Sequence, residues 1–111
     1  MRIYKGENLI VRIALRQQDG TPMNLSDLIS LKAEINQLKK THAVYLLGES
    51  PEIREGNAAN ELEIEITSSL TSKMASGFDV WVRLTLQADN EEFDIDPHHV
   101  DITGIKMFTV I

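Results

Sequence analysis

The chain has 111 residues, which is enough for one domain with a modest core, and it contains no cysteine. Without cysteine there are no disulfide bonds, thiolate metal sites or cysteine nucleophiles. Seventeen acidic against eleven basic residues give a net charge of −6, and the basic residues are scattered, so nucleic acid is not an expected partner. No apolar stretch is long enough to span a bilayer and Arg12 interrupts the N-terminal one, so we expect neither a membrane segment nor a secretory signal.

The first half of the chain alternates in hydropathy with a period of two, which is typical of half-buried strands. Residues 9–16 predict a strand whose inner side chains are Leu9, Val11, Ile13 and Leu15. The turn at 19–22 ends this strand, because Pro22 cannot donate to a sheet. Residues 29–38 predict a second strand, although one helical stripe competes there, and residues 43–47 predict a third after a turn at 39–42. The inner side chains of the second strand are Ile29, Leu31, Ala33 and Ile35.

The second half continues the same pattern after residues 49–60, an irregular stretch that predicts a mobile loop. Residues 61–66 alternate strictly, and residues 67–77 predict a brief helix that ends at Gly77. Residues 78–87 predict a strand, followed by a turn at 89–91, a short strand at 92–96 and a closing strand at 100–111 bent at Gly104. The predicted inner side chains are Leu62, Ile64 and Ile66, and then Phe78, Val80, Val82, Leu84 and Leu86.

These elements predict an all-β protein in which seven to eight short strands and one short helix form an antiparallel β-sandwich. Turn signals recur about every ten residues, which is the spacing expected of such a sandwich. We expect residues 1–111 to form a single domain, because the sequence contains no linker, internal repeat or low-complexity tract.

Two segments resemble a known family. Residues 5–28, KGENLIVRIALRQQDGTPMNLSDL, resemble the start of the amino-terminal immunoglobulin-like domain of tailed-phage baseplate upper proteins, and residues 68–86 are similar to its short helix and following strand. The matching positions are Gly6, Glu7, Asp19, Gly20, Thr21, Pro22, Leu25, Ser26, Leu70, Gly77 and Phe78. The chain departs from the family pattern at Asp89-Asn90, where an Asp-Gly hairpin is expected, and in the irregular stretch at 49–60. The resemblance implies an immunoglobulin-like fold and an assembly role in a phage or prophage particle, with no catalytic residues.

The sequence offers no convincing catalytic or metal centre. No Gly-x-Ser-x-Gly elbow frames any serine, so we expect no enzyme activity. The acidic segment 91–101, with His98 and His99, is the one candidate for a metal site, but it lacks a calcium-loop motif and is expected to be a solvated loop. We therefore predict no metal ion and no cofactor.

The row Glu61, Glu63 and Glu65 is expected on the outer face of its strand. In an immunoglobulin-like topology this strand pairs with the first long strand, so Arg12 and Arg16 would face Glu63 and Glu65 across the ladder. Exposed pairs of this kind contribute only about 0.2–1 kcal/mol each, so they would fix register and solubility more than stability.

Trp81, the only tryptophan, falls in the outward phase with Asp79 and Arg83. Exposed tryptophans anchor interfaces because they bury a large area at low entropic cost, so these three residues are the candidate interface. The alternative is that the loop at 49–60 covers the Trp81 ring.

The resemblance implies a non-enzymatic assembly module of a phage or prophage tail baseplate, found in the virion or in the bacterial cytoplasm before assembly. Its expected partners are other tail proteins or further copies of itself, through the Trp81 face or a strand edge. The alternative function is an adhesion or ligand-binding β-sandwich domain at the cell surface or in the periplasm, and a small hydrolase is a distant third.

Overall fold

The alternating apolar residues form strands along most of the chain. A computed structural model describes residues 1–17, 19–88 and 98–111 and contains eight β-strands over these ranges. They are β1 (Arg2–Ile3), β2 (Leu9–Ala14), β3 (Leu28–Gln37), β4 (Lys40–Leu46), β5 (Ile53–Glu55), β6 (Glu61–Ile66), β7 (Asp79–Ala88) and β8 (His98–Val110). Two short helical segments accompany them, a 3₁₀ turn at Leu25–Asp27 and α1 at Ser68–Thr71.

The strands form two sheets that enclose one core. The five-stranded sheet has the order β1-β8-β7-β3-β4, and the three-stranded sheet has the order β2-β6-β5. Neighbouring strands are antiparallel except for β1, which pairs parallel with β8. The prediction of an all-β sandwich is therefore confirmed.

The core consists largely of the inner phases that the alternation predicts. The inner side chains of β6 have no exposure to solvent, and those of β7 have almost none; they are Leu62, Ile64, Ile66, Val80, Val82, Leu84 and Leu86. Phe108 of β8 and Ile35 of β3 are also fully buried, so both sheets contribute to the same apolar layer. Burial of these side chains is the main favourable term that stabilises the sandwich.

Two residues predicted in the core are exposed instead. Ile29 is 54% exposed, because the pairing of β3 with β7 shifts register between Leu28 and Ser30 and this bulge moves Ile29 out of the inner phase. Phe78 is 47% exposed, because β7 begins only at Asp79 and Gly77, with φ of +89°, turns the chain immediately before it.

Several predicted boundaries also differ. The stretch predicted as a mobile loop at 49–60 contains β5, and the hairpin before β4 turns at Leu38 and Lys39, so the turn predicted at 39–42 begins one residue earlier. The helix predicted over 67–77 is only the four residues of α1, with the Thr67 hydroxyl accepting from the Leu70 N–H at 3.3 Å. Among the described residues, no helix has the length and apolar character needed to cross a bilayer.

The closing strand is longer than predicted. β8 runs through Gly104, where a φ of +76° accompanies a register shift against β7 between Val82 and Leu84. The strand predicted at 92–96 lies outside the described residues.

Candidate protein interaction surface

Trp81 lies on the outer face of the five-stranded sheet. It is directly opposite Asn36 of β3 on one side and Lys106 of β8 on the other, and it is 39% exposed. Directly opposite residues in a sheet point to the same face, so all three belong to one surface. The segment 49–60 does not cover the ring, because its strand β5 belongs to the other sheet, across the core.

Asp79 is fixed two residues before Trp81 on the same face. The Thr109 hydroxyl donates to its Oδ1 at 2.6 Å, and the Lys106 ammonium lies 3.4 Å from the same oxygen. The hydrogen bond from Thr109, and then the charge of Lys106, lower the pKa of the Asp79 carboxyl from its ordinary value. Asp79 therefore stays ionised beside the tryptophan at neutral pH.

Arg83 is fixed two residues after Trp81. Its Nη2 donates to Asp101 Oδ2 at 2.7 Å, and the Thr85 hydroxyl donates to Asp101 Oδ1 at 3.0 Å. These hydrogen bonds, with Arg83 the larger contributor, lower the pKa of the Asp101 carboxyl, and Asp101 in turn raises the pKa of the Arg83 guanidinium. Glu34 lies opposite Arg83 on β3 and adds a further negative charge to this face.

The three predicted interface residues therefore form one surface. Asp79, Trp81 and Arg83 are consecutive outward positions of β7, and hydrogen-bonded or charged side chains of β8 hold Asp79 and Arg83 in place. A partly exposed tryptophan flanked by the ordered charges of Asp79 and Arg83 is typical of an interface anchor with a polar rim.

Two exposed apolar residues extend this surface toward the sheet edge. Val44 lies opposite Glu34, and Leu46 lies opposite Lys32, so both share the outer face with Trp81. Val44 is 50% exposed and Leu46 is 40% exposed. Sequence reasoning missed them because β4 has apolar residues in both phases, which leaves its inner face undetermined.

The second predicted group lies on the outer face of the three-stranded sheet. Arg12 of β2 is directly opposite Glu63 of β6, and its Nη2 lies 3.0 Å from Glu63 Oε1. The same guanidinium lies 3.7 Å from Glu61. On the other side of β6, Arg54 of β5 donates to Glu63 Oε2 at 2.8 Å and lies 3.6 Å from Glu65.

The expected partnership of Arg16 with this row is incorrect. Arg16 lies beyond the end of β2, and its Nη1 donates to the carbonyl of Gly20 at 3.2 Å. The antiparallel register places Glu65 opposite Ile10, so Arg16 lies beyond the other end of β2, where it pairs with Pro22. Arg54 pairs with Glu65 instead, and sequence reasoning missed it because β5 has only three residues and shows no periodicity.

The described residues contain no group of three side chains suited to hold a metal ion. Of the acidic segment weighed as a metal site, residues 91–97 lie outside the described residues, as do the side chains of His98 and His99. Asp101 is described, and its two carboxylate oxygens accept hydrogen bonds from Arg83 and Thr85.

Comparisons with protein-family models, with curated proteins and with solved structures found no match to this chain. The described geometry thus defines a class, an all-β sandwich with an ordered, tryptophan-centred outer face.

Proposed function

We propose that the chain is an immunoglobulin-like β-sandwich that acts as a non-enzymatic assembly module of a phage or prophage tail baseplate. Strand order is the observation that carries the immunoglobulin-like part of this proposal. In immunoglobulin domains, strands B, E and D belong to one sheet, and strands G, F and C, with C′ in variable-type domains, belong to the other. Taking β2 as B, the order β2-β6-β5 corresponds to B-E-D, and β8-β7-β3-β4 corresponds to G-F-C-C′.

The resemblance of residues 5–28 and 68–86 to baseplate upper proteins supports the particle assignment. Asp19 Oδ1 accepts hydrogen bonds from the Thr21 hydroxyl at 2.7 Å and from the Thr21 N–H at 3.0 Å. The Asp-Gly-Thr-Pro segment therefore forms a closed local turn. Thr71, near the start of the second segment, donates to the Glu7 carbonyl at 2.8 Å and accepts from the Gly6 N–H at 3.0 Å. The two matching segments therefore contact each other in the fold.

Recognition in this proposal uses the outer face around Trp81. The ring supplies apolar contact area, and the ordered charges of Asp79 and Arg83 supply a polar rim that selects the partner. The partners are further copies of the chain or other tail proteins, and the assembled form belongs to the virion.

Light scattering over a range of concentrations, with and without the products of neighbouring genes, tests this proposal. We expect a defined oligomer or a complex with a tail protein, and we expect Trp81→Ser to weaken it about tenfold or more, as loss of an interface anchor does. Phe78→Ser is the matched control, because Phe78 is exposed outside this face. A chain that stays monomeric at all concentrations, forms no complex with tail proteins and binds a small ligand would instead favour the adhesion or ligand-binding alternative.

A further inference from the structure

One side of the sandwich is left open along β2. Within the described part of the chain, β2 has β6 as its sheet neighbour on one side and no strand on the other. Its core-facing residues Val11 and Ile13 are only partly buried, whereas Ile64 and Leu62, directly opposite them on β6, have no exposure. Inner apolar side chains thus remain partly uncovered where a further strand would lie.

A groove of about 580 Å³ runs along this open side, between β2 and β8. Val11 and Ile13 contribute to one wall, and Ile105 and Met107 of β8 contribute to the other. Two basic residues, Arg12 and Lys106, also line it. β1 covers the edge of β8 only at Thr109 and Val110, so the groove stays accessible beside Ile105 and Met107.

The backbone of β2 offers a hydrogen-bonding edge to this groove. The Leu15 N–H donates to the Asn60 carbonyl at 2.8 Å, so alternation directs the backbone groups of Leu9, Val11 and Ile13 toward β6. The N–H and C=O groups of the residues between them, Ile10, Arg12 and Ala14, therefore point to the open side.

β2 also lacks the usual protection of an edge strand. It pairs with β6 over six residues without a register shift and contains no proline, whereas the edge strand β4 carries a register shift against β3 and β5 has only three residues. Among the edges that the structure describes, β2 is the one best prepared to accept another strand.

We propose that this groove binds an extended segment of a partner protein, which adds to β2 as a new strand of the three-stranded sheet. The segment has apolar residues at every second position, which pack against Val11, Ile13, Ile105 and Met107. Acidic residues alternate with the apolar ones and lie near Arg12 and Lys106, whose side chains stay 50% and 49% exposed beside their partners Glu63 and Asp79. This mode of recognition combines main-chain hydrogen bonds with pockets for alternate side chains.

A second copy of the chain fits this groove less well. Edge-to-edge pairing of two β2 strands would contact β2 alone and would leave Ile105, on the β8 wall of the groove, partly exposed. A segment lying in the groove contacts both walls. The inference does not rest on the baseplate assignment, because its evidence is the open edge of β2 and the groove beside it.

Amide hydrogen exchange of the ¹⁵N-labelled chain tests this proposal. The probe is a short blocked peptide with valine at every second position and glutamate between the valines. We expect saturating peptide to slow exchange at Ile10, Arg12 and Ala14 by about tenfold or more, which is the effect of one new hydrogen bond per amide. A peptide with lysine in place of glutamate is the charge control, and we expect it to bind at least severalfold more weakly.

A proline substitution distinguishes strand addition, which needs the backbone N–H groups of β2, from binding through side chains alone. Ala14→Pro removes an N–H that points to the groove and leaves the bonds to β6 in place, so we expect peptide affinity to fall about tenfold or more. Ala14→Thr keeps the N–H and should bind within about threefold of the parent. N-methylation along one edge of the peptide makes the same test without changing the protein, and it should abolish binding.

Three results would overturn the proposal. One is the absence of binding at peptide concentrations of about 1 mM. Another is protection from exchange at Ile10, Arg12 and Ala14 in the free chain. If this protection increases with protein concentration, a second copy is the occupant. The third is binding whose chemical-shift changes centre on Trp81, which would place the peptide on the outer sheet face.

Discussion

Gln37 and Ala75 are joined by two hydrogen bonds across the end of the sandwich. The Gln37 Nε2 donates to the Ala75 carbonyl at 2.8 Å, and the Ala75 N–H donates to Gln37 Oε1 at 2.7 Å. Gln37 is only 2% exposed, so its amide replaces water for the backbone of the segment that leads from α1 into β7. That segment positions the start of the strand that carries Trp81.

Gln37→Met should therefore destabilise the chain. The change leaves the part-buried N–H and C=O of Ala75 without this partner, so we expect a loss of about 1–3 kcal/mol in the free energy of unfolding. Urea denaturation measures it, and Gln17→Met is the control because Gln17 is exposed. A loss no larger than that of the control would show that the amide pair does not contribute to stability.

Glu63 should contribute more to stability than either arginine beside it, because its side chain is only 14% exposed and makes both short pairs, at 3.0 Å to Arg12 and 2.8 Å to Arg54. We expect Arg12→Met and Arg54→Met to cost about 0.2–1 kcal/mol each, and Glu63→Gln to cost about 1–2 kcal/mol. Denaturation at low salt and in 1 M NaCl measures these values. High salt should reduce the difference between the cost of Glu63→Gln and the costs of the two arginine substitutions. Glu55→Gln, an exposed glutamate on β5, is the control. Equal costs for all three paired residues would contradict the shared role of Glu63.

Acid should weaken the outer face through Asp79. The pKa of this carboxyl is lowered from 3.8 in the folded chain, so its stabilising contribution is complete above that value and is lost as the pH falls through the lowered pKa. Thr109→Val removes the hydroxyl that donates to Asp79, and should raise the pKa of the carboxyl toward 3.8. Carboxyl ¹³C titration of parent and variant measures the change. An unchanged titration would show that Thr109 does not set the charge of Asp79.

The β3–β4 hairpin contains two residues in the left-handed region that should accept stabilising substitutions. Leu38 and Lys39 have φ of 52° and 61°, where asparagine and glycine are favoured. We expect Leu38→Asn and Lys39→Gly each to raise the free energy of unfolding by about 0.5–1 kcal/mol. Lys40→Gly is the matched control; it lies in β4 and should instead lower stability by about 0.5–1 kcal/mol. Thermal denaturation compares the three, and a loss at Lys39→Gly would contradict the turn geometry.

The period of the strands and most of the inner face follow from the order of the residues alone. Strict alternation in Glu61–Ile66 and in residues 80–86 predicts which side chains are buried, because a pleated strand sends neighbouring residues to opposite faces. The outward position of Trp81 follows from the same rule. These features depend on local geometry alone.

The features that depend on strand pairing become visible only in the folded chain. A register shift against β7 places Ile29 outside the core, and the antiparallel register of β2 with β6 places Glu65 at the end of β2 remote from Arg16. The partnership of Arg54 with Glu63 and the open groove beside Val11 both depend on which strands are neighbours. Alternation fixes the face of a side chain but carries no information about the strand that lies next to it, so these relationships emerge only when the sheets assemble.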